Sequence, residues 1–398
     1  MSFTYSSVVP LIGGIVLGQE KAFESRPEYL LSYSPFSNND KHIVNHYDNE
    51  VPYILLDQGG VAPKQVDVVS ACCPCAGLSM LSHGFGDHNE NNKWMIETAK
   101  YVLGEMKPEV FYGENAPGFA GKIGKTVREQ LRQIGKENGY AMTVYRTKSL
   151  LHGIPQIRER SFYFFWKGDR VPVLDYYERP YPSIEDVITG VRGNFQMETI
   201  SKKTPSKDDL YYKFVLDELH GGMSHRDFVK TLTADSVRNI DVLAYLESKT
   251  DYLHVADWMG KNGYEKEVDK CKARYEKLKA GGNIMRRNTV LPRGHIGAFV
   301  GHYPVMLAHP VEDRYITYRE AMSIMGMPEN FELVGASPKN ANHICQNVPV
   351  GTATDMATEV VEYLRGNRET VGSDYSMQWN HTRAAHYETD HNLEKFFA

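Results

Sequence analysis

The chain of 398 residues is poor in cysteine and carries no long apolar run, no internal repeat, no low-complexity tract and no surplus of positive charge. Five cysteines, at 72, 73, 75, 271 and 345, are too few and too unevenly spread for the framework of a secreted disulfide protein, which points to a reducing compartment. The stretch MSFTYSSVVPLIGGIVLGQEKAF has no basic residues before its apolar part, is broken by glycines and closes on a charge. It falls short of the roughly 20 apolar residues of a bilayer span, so neither a signal peptide nor a membrane segment is expected. A formal charge of −5 excludes a global electrostatic pull toward nucleic acid, although local patches outweigh totals.

What is present is an ordinary globular balance, 41% hydrophobic against 24% charged, on a chain long enough for one large core or two modest domains. VDVVSA at 66–71 reads as a buried strand, and NNKWMIETAKYVLGEM at 91–106 spaces its apolar residues as a helix does. VFYGENAPG runs from a strand into a loop. Ile123, Val127, Leu131 and Ile134 then recur every three or four residues up to Gly139, and AMTVYR and SFYFFW follow as strands. This alternation predicts an α/β domain with a largely parallel sheet, and ligands then bind at the carboxyl ends of strands, where ACCPCAG and YGENAPG fall. Past Gly168 the sequence turns proline- and tyrosine-rich and then lysine-rich, as a second domain or large insertion would. From Lys261 to Arg293 ten Lys/Arg face four Asp/Glu, a pattern that on its own favours a solvated helix face over a phosphate-binding one.

ACCPCAGLSM places three cysteines within four residues, at 72, 73 and 75. A structural zinc site calls for about four ligands in two separated pairs, and no second CxxC exists. A redox pair of Cys72 and Cys75 stays as a minor reading, because Cys72 sits nearer the strand than a helix start. The third reading is a nucleophile at Cys75, set by Pro74 on a turn past a strand. Partners that polarise an electrophile are available in Glu114 and Asn115 of YGENAPG and in Gln156, Arg158 and Arg160 of HGIPQIRER. Taken singly, each of these is more often a solvated loop carboxylate or a surface arginine.

Taken in order, the Pro-Cys-x-x-x-Ser loop, KPEVFYGENAPG, HGIPQIRER, RYITYREAMSIMGMPENF and ICQNVPVG resemble the motifs of the DNA cytosine C5-methyltransferases. The resemblance covers residues 7–165 and 308–365 and leaves the middle unmatched. It implies a Rossmann-like S-adenosylmethionine-dependent methyltransferase domain at 1–167 and 308–370, with a mostly parallel sheet. A smaller target-recognition domain is expected at 168–307 and a polar tail at 371–398.

The resemblance assigns Cys75 to attack on cytosine C6, Glu114 to N3 and the exocyclic amine, and Arg160, supported by Arg158, to O2. The base would be rotated out of the duplex, with SMLSHGFGDHNENNK as a closing loop. S-adenosyl-L-methionine is the implied donor, bound by Val9, Ile12, Gly13 and Gly14, by Asn38 and Asp57, by Pro74, and by Asn347 and Val348 of the closing segment. Asn115, Gln156, Arg286, Arg287 and Arg293 are implied contacts to DNA, and with the family in view the basic run reads as a phosphate-facing surface.

Departures from the family pattern concentrate at the donor site. Val9 and Leu11 replace the stacking phenylalanine and the first glycine of the opening loop, Asn38 stands where an acid holds the ribose, and Ala76 replaces a glutamine. These departures leave two other readings open: a catalytically weakened DNA-binding relative, and an enzyme placing another group at C5 from a variant donor. Double-stranded DNA is the expected partner, and a cognate restriction endonuclease is a candidate one. A monomer in the cytoplasm of a prokaryotic or phage-infected cell is expected, without a metal.

Overall fold

Apolar runs that do not alternate become strands buried on both faces. In the computed structural model, which describes residues 2–74, 77–79, 86, 88–192, 196–232, 240–284, 288–292, 294–299, 306–335 and 339–380, eight strands form one sheet. They are β1 (Tyr5–Val8), β2 (Leu30–Ser32), β3 (Tyr53–Leu55), β4 (Val68–Ala71), β5 (Val110–Asn115), β6 (Tyr140–Lys148), β7 (Glu159–Lys167) and β8 (Tyr375–Trp379). The spatial order is β8-β6-β7-β5-β4-β1-β2-β3. Within this sheet β7 alone runs antiparallel, to both β5 and β6. This is the mostly parallel α/β sheet expected from the sequence.

Helices α1 (Gly14–Phe23), α2 (Ser37–His46), α3 (Lys93–Tyr101), α4 (Lys125–Glu137) and α5 (Val350–Leu364) cover the sheet. The helical period read through 106 holds only to Tyr101, and Val102–Met106 continue as a wider π turn ending at Lys107 with φ 53°. α1 and α5 pack closely because Gly18 has no side chain: a Cβ there would sit 2.5 Å from that of Ala353.

Residues 162–166 of β7 are all buried, so inside-outside alternation cannot set its register. Ring stacking does so instead, with Phe165 on Phe111 at 5.6 Å and Phe164 on Tyr112 at 5.5 Å.

The segment expected as a tail supplies structure up to Asn380. Thr370–Val371 pairs with Val171–Pro172, and Tyr375–Trp379 is the edge strand β8. Its five half-buried residues show no periodicity because an edge strand with both faces partly wet has no single buried face to mark. Val171, Leu174, Ile184 and Ile188, beyond the expected boundary at 168, belong to the main core. A second hydrophobic cluster begins at Tyr211 and includes Phe228, Leu246, Trp258, Cys271, Leu291 and Ala308. No helix among the described residues is long and apolar enough to cross a membrane. No group of three or more His, Cys, Asp or Glu among them is placed to hold a metal.

Candidate active site

β4 and β5 are neighbours in register, Ala71 opposite Gly113, so the segments that follow leave the sheet side by side. Glu114, next on β5, is 3% exposed. Its Oε1 lies 2.6 Å from Nε of Arg160, off the N–H direction, so the contact is an ion pair rather than an aligned hydrogen bond. Arg160 is delivered by β7, where Asn115 pairs with Ser161. A buried carboxylate without such a cation would cost several kcal/mol. On the other side, the Cys72 thiol donates to Glu114 Oε2 at 3.8 Å.

Cys75 lies outside the described residues, as do Ala76 and, within the stretch expected to close over the base, residues 80–85 and 87. Gly86, midway along that stretch, donates its amide to the Gly77 carbonyl at 2.7 Å and accepts from Asn92 Nδ2 at 3.0 Å. Pro74 is half-buried just past β4.

The arginines grouped by sequence part company. Arg158 is 2% exposed and donates to the Phe299 carbonyl at 3.0 Å, while Arg160 faces Glu114. Gln156 is fully buried, its Nε2 on the Met325 sulfur at 3.3 Å and its Oε1 accepting from the Phe299 amide at 3.4 Å. Gln156–Ile157 also pairs with Ile296–Gly297, which brings the end of the inserted region against the site. Asn115 accepts the Ala116 amide at 2.8 Å and reaches Met95 sulfur at 3.0 Å, so it shapes the turn into Pro117. Arg286, Arg287 and Arg293 lie outside the described residues. Of the basic run, Lys270 pairs with Glu267 at 2.6 Å, and the Arg274 guanidinium stacks on Tyr211 at 4.6 Å.

The loop from β1 to α1 turns through Val9 (φ 52°), Leu11 (φ 53°) and Gly13 (φ 107°), with Ile12 buried between them. Leucine stands here in the left-handed conformation that glycine adopts freely, at a cost of about 1–2 kcal/mol. Asp40 fixes the loop: its Oδ1 accepts the Leu11 amide at 2.9 Å and its Oδ2 the Tyr53 hydroxyl at 2.8 Å. Burial pushes the Asp40 carboxyl up to about 7. Gly14 donates to Asn347 Oδ1 at 2.8 Å, and a Cβ at Gly14 would sit 1.9 Å from the Val348 carbonyl oxygen.

Asn38 is exposed on α2, whereas Asp40 two residues on is fully buried. Asp57 accepts the Ser34 amide with both oxygens, at 2.9 and 3.0 Å. Trp94 packs beside Tyr33 (4.7 Å) and Phe36 (5.2 Å) at the same end of the sheet. Asn39 Oδ1 is buried without a hydrogen-bond partner among the described residues. An acid on a loop amide, half-buried aromatic faces and an unsatisfied amide oxygen, close to the first turn of α1, fit a nucleoside-bearing ligand. Sequence alone marks Trp94 as one of several apolar residues at helical spacing and Cys72 as a minor redox candidate, and it points to Asn38 where the structure buries Asp40.

RYITYRE is a structural clasp. Arg314 forks onto Glu320 at 2.8 and 2.9 Å, Thr317 and Glu320 form a capping box for helix Tyr318–Ile324, and Arg319 donates to the carbonyls of Pro328, Glu329 and Phe331 at 3.0–3.1 Å.

Residues 10–362 match the C-5 cytosine-specific DNA methylase family. Type II methyltransferase M.AgeI of Thalassovita gelatinovora is 33% identical over 113 residues, 28% of this chain and 26% of that protein. Type II methyltransferase M.XorII of Xanthomonas oryzae pv. oryzae is 24% identical over 329 residues, 78% of this chain and 71% of that one. In fold the chain is similar to the methyltransferase EhMeth of Entamoeba histolytica, with a TM-score of 0.52 and 14% identity over 92% of this chain and 99% of that one. With the match extending from the β1–α1 loop through most of α5, the chain belongs to the C-5 cytosine-specific DNA methylases, the DNA cytosine methyltransferases.

Proposed function

We propose that the protein transfers a methyl group from S-adenosylmethionine to carbon 5 of a cytosine rotated out of double-stranded DNA, through a covalent bond from Cys75 to C6. The observation that carries this reading is the buried Glu114–Arg160 pair, with Glu114 on β5 beside β4, whose end at Ala71 leads into Pro74. Carbon 5 is a weak nucleophile until a thiolate adds at C6 and makes the C5–C6 bond enamine-like. Glu114, having taken up a proton as the base enters, then meets N3 and the exocyclic amine and passes that proton to N3 to balance the developing charge, while Arg160 faces O2. The donor supplies the methyl group. Water takes the C5 proton as the Cys75 thiolate leaves C6 and the C5–C6 double bond re-forms, and the N3 proton returns to Glu114, which restores the aromatic ring and frees the enzyme.

For the donor, Asp57, Trp94, Phe36 and the first turn of α1 are the residues that would hold it, with Asn347 and Val348 closing the loop. The Asp40–Leu11 hydrogen bond favours the active reading over a weakened DNA-binding relative, because the loop keeps its turn without the family's first glycine. The cluster centred on Phe228, Leu246 and Trp258 is the proposed target-recognition unit. Arg158 and Gln156 act by seating residues 296–299 rather than by touching the base. A cytoplasmic monomer, with a cognate endonuclease as companion, completes the proposal.

The test is a duplex carrying 5-fluorocytosine incubated with S-adenosylmethionine. A covalent adduct that shifts on denaturing gels with the wild type and is absent with Cys75→Ala supports the reading. Full methyl transfer by Cys75→Ala, measured by nucleoside mass spectrometry, ends it. Retained DNA affinity without calorimetric binding of S-adenosylmethionine would favour the weakened relative instead.

A further inference from the structure

We infer that Cys72 is a positioning residue for the methyl-transfer reaction: its thiol holds one oxygen of Glu114 while Arg160 holds the other. The inference rests on the proposed role of Glu114. The three residues come from three adjacent strands or their ends. Glu114 is on the middle strand β5, Cys72 directly follows β4, and Arg160 opens β7. Cys72 Sγ lies 3.8 Å from Oε2 and Arg160 Nε 2.6 Å from Oε1, so the carboxyl is gripped from both flanks. Cys72 and Glu114 are each 3% exposed.

The floor beneath them is closed too. A Cβ at Gly113 would sit 2.2 Å from the Tyr163 hydroxyl oxygen, so this ring occupies the space a side chain at 113 would need. Burial pushes the Tyr163 phenol well above its ordinary range, so it stays neutral and adds no charge beside the acid. Among the described residues the Cys72 thiol is the donor on Glu114 Oε2, and Glu114 is 3% exposed, so removing the thiol leaves that oxygen to be satisfied from a nearly closed site. An S–H is a weak donor, yet its acceptor is a carboxyl, and leaving such an acceptor short of a partner is costly when buried. The expected consequence falls on the reaction step, where the carboxyl must present itself to N3 at a fixed angle, and not on substrate capture.

The test compares Cys72→Val, which keeps volume and loses the donor, with Cys72→Ser, which keeps a donor. Steady-state methyl transfer and calorimetric binding of S-adenosylmethionine are measured on each. The valine variant is expected to lose about tenfold in kcat with KM for DNA and donor affinity unchanged, and serine to recover to within about threefold of the wild type. Should valine disturb folding, seen as lost donor binding, the same comparison is made between Cys72→Ser and Cys72→Ala. Wild-type kcat in the donor-less variant, or serine as slow as that variant, overturns the inference. Glu114→Gln runs alongside: if it is fully active the role of Glu114 fails, whereas an inactive Glu114→Gln beside a fully active Cys72→Val removes only the thiol's part.

Discussion

Leu11 shows two opposed energies at one residue. Its left-handed backbone costs about 1–2 kcal/mol, while truncating a buried leucine costs about 2–5 kcal/mol, so burial outweighs strain at a position only 7% exposed. Replacing Leu11 with glycine is therefore expected to destabilise the protein by about 2 kcal/mol although it restores the family's residue. Urea denaturation midpoints check this, and a stabilised Leu11→Gly protein would show that strain dominates. At this scale the sequence marked candidate residues better than their contacts. Cys75, Glu114 and Arg160 could be named from their motifs, yet the thiol of Cys72 on Glu114 could not, because it depends on the pairing of Ala71 with Gly113. Asn38 and Asp40 are neighbours in print, but two residues turn a helix by about 200°, so one faces water and the other the loop.

Among elements, β4 to β7 and α4 were legible for a plain reason: runs such as VFYGEN are buried on both faces, and the apolar stripe of α4 recurs at helical spacing. The break between Gln156–Ile157 and β7 was not, and it is what parts Arg158 from Arg160 despite their spacing of two. The helix Tyr318–Ile324 owes its place to Arg319, which is fully buried and gathers three carbonyl oxygens at 3.0–3.1 Å. Arg319→Ala leaves those carbonyls without their donor and opens a cavity. A loss of about 3–5 kcal/mol is expected, read by thermal or urea denaturation. A loss below 1 kcal/mol would mean the carbonyls find other donors.

For the molecule as a whole, two buried groups pull the pH dependence of stability in opposite directions. Burial first, then the neighbouring His343 and Lys41, holds His42 down at about 4. Between that value and the ordinary histidine range near 6.5 the unfolded chain takes up the proton more readily, so His42 stability, up to about 3 kcal/mol, is lost as pH falls through this window. Asp40, raised to about 7, has the opposite sign: the folded state keeps its proton longer, so its contribution is lost as pH rises from about 4 to 7. The wild-type slope therefore understates both. The two slopes nearly cancel, so His42→Gln is expected to turn the dependence between pH 4.5 and 6.5 toward falling stability with rising pH, and Asp40→Asn toward rising stability, measured as denaturant midpoints across the range. Equal slopes in all three proteins would mean that neither group is titrating as its burial demands.

The hydrogen bond from Gly14 to Asn347 joins residues 333 positions apart. At about 5–20 residues per second of synthesis, the β1–α1 loop waits roughly 20–60 s on the ribosome for the residue that completes it. Until then α1 has neither Asn347 on its first turn nor Ala353 against Gly18, so its apolar face stands open in the nascent chain. The turn that opens α1 is thus finished only near the end of synthesis, when Asn347 and the helix carrying Ala353 emerge, and not as an early local unit.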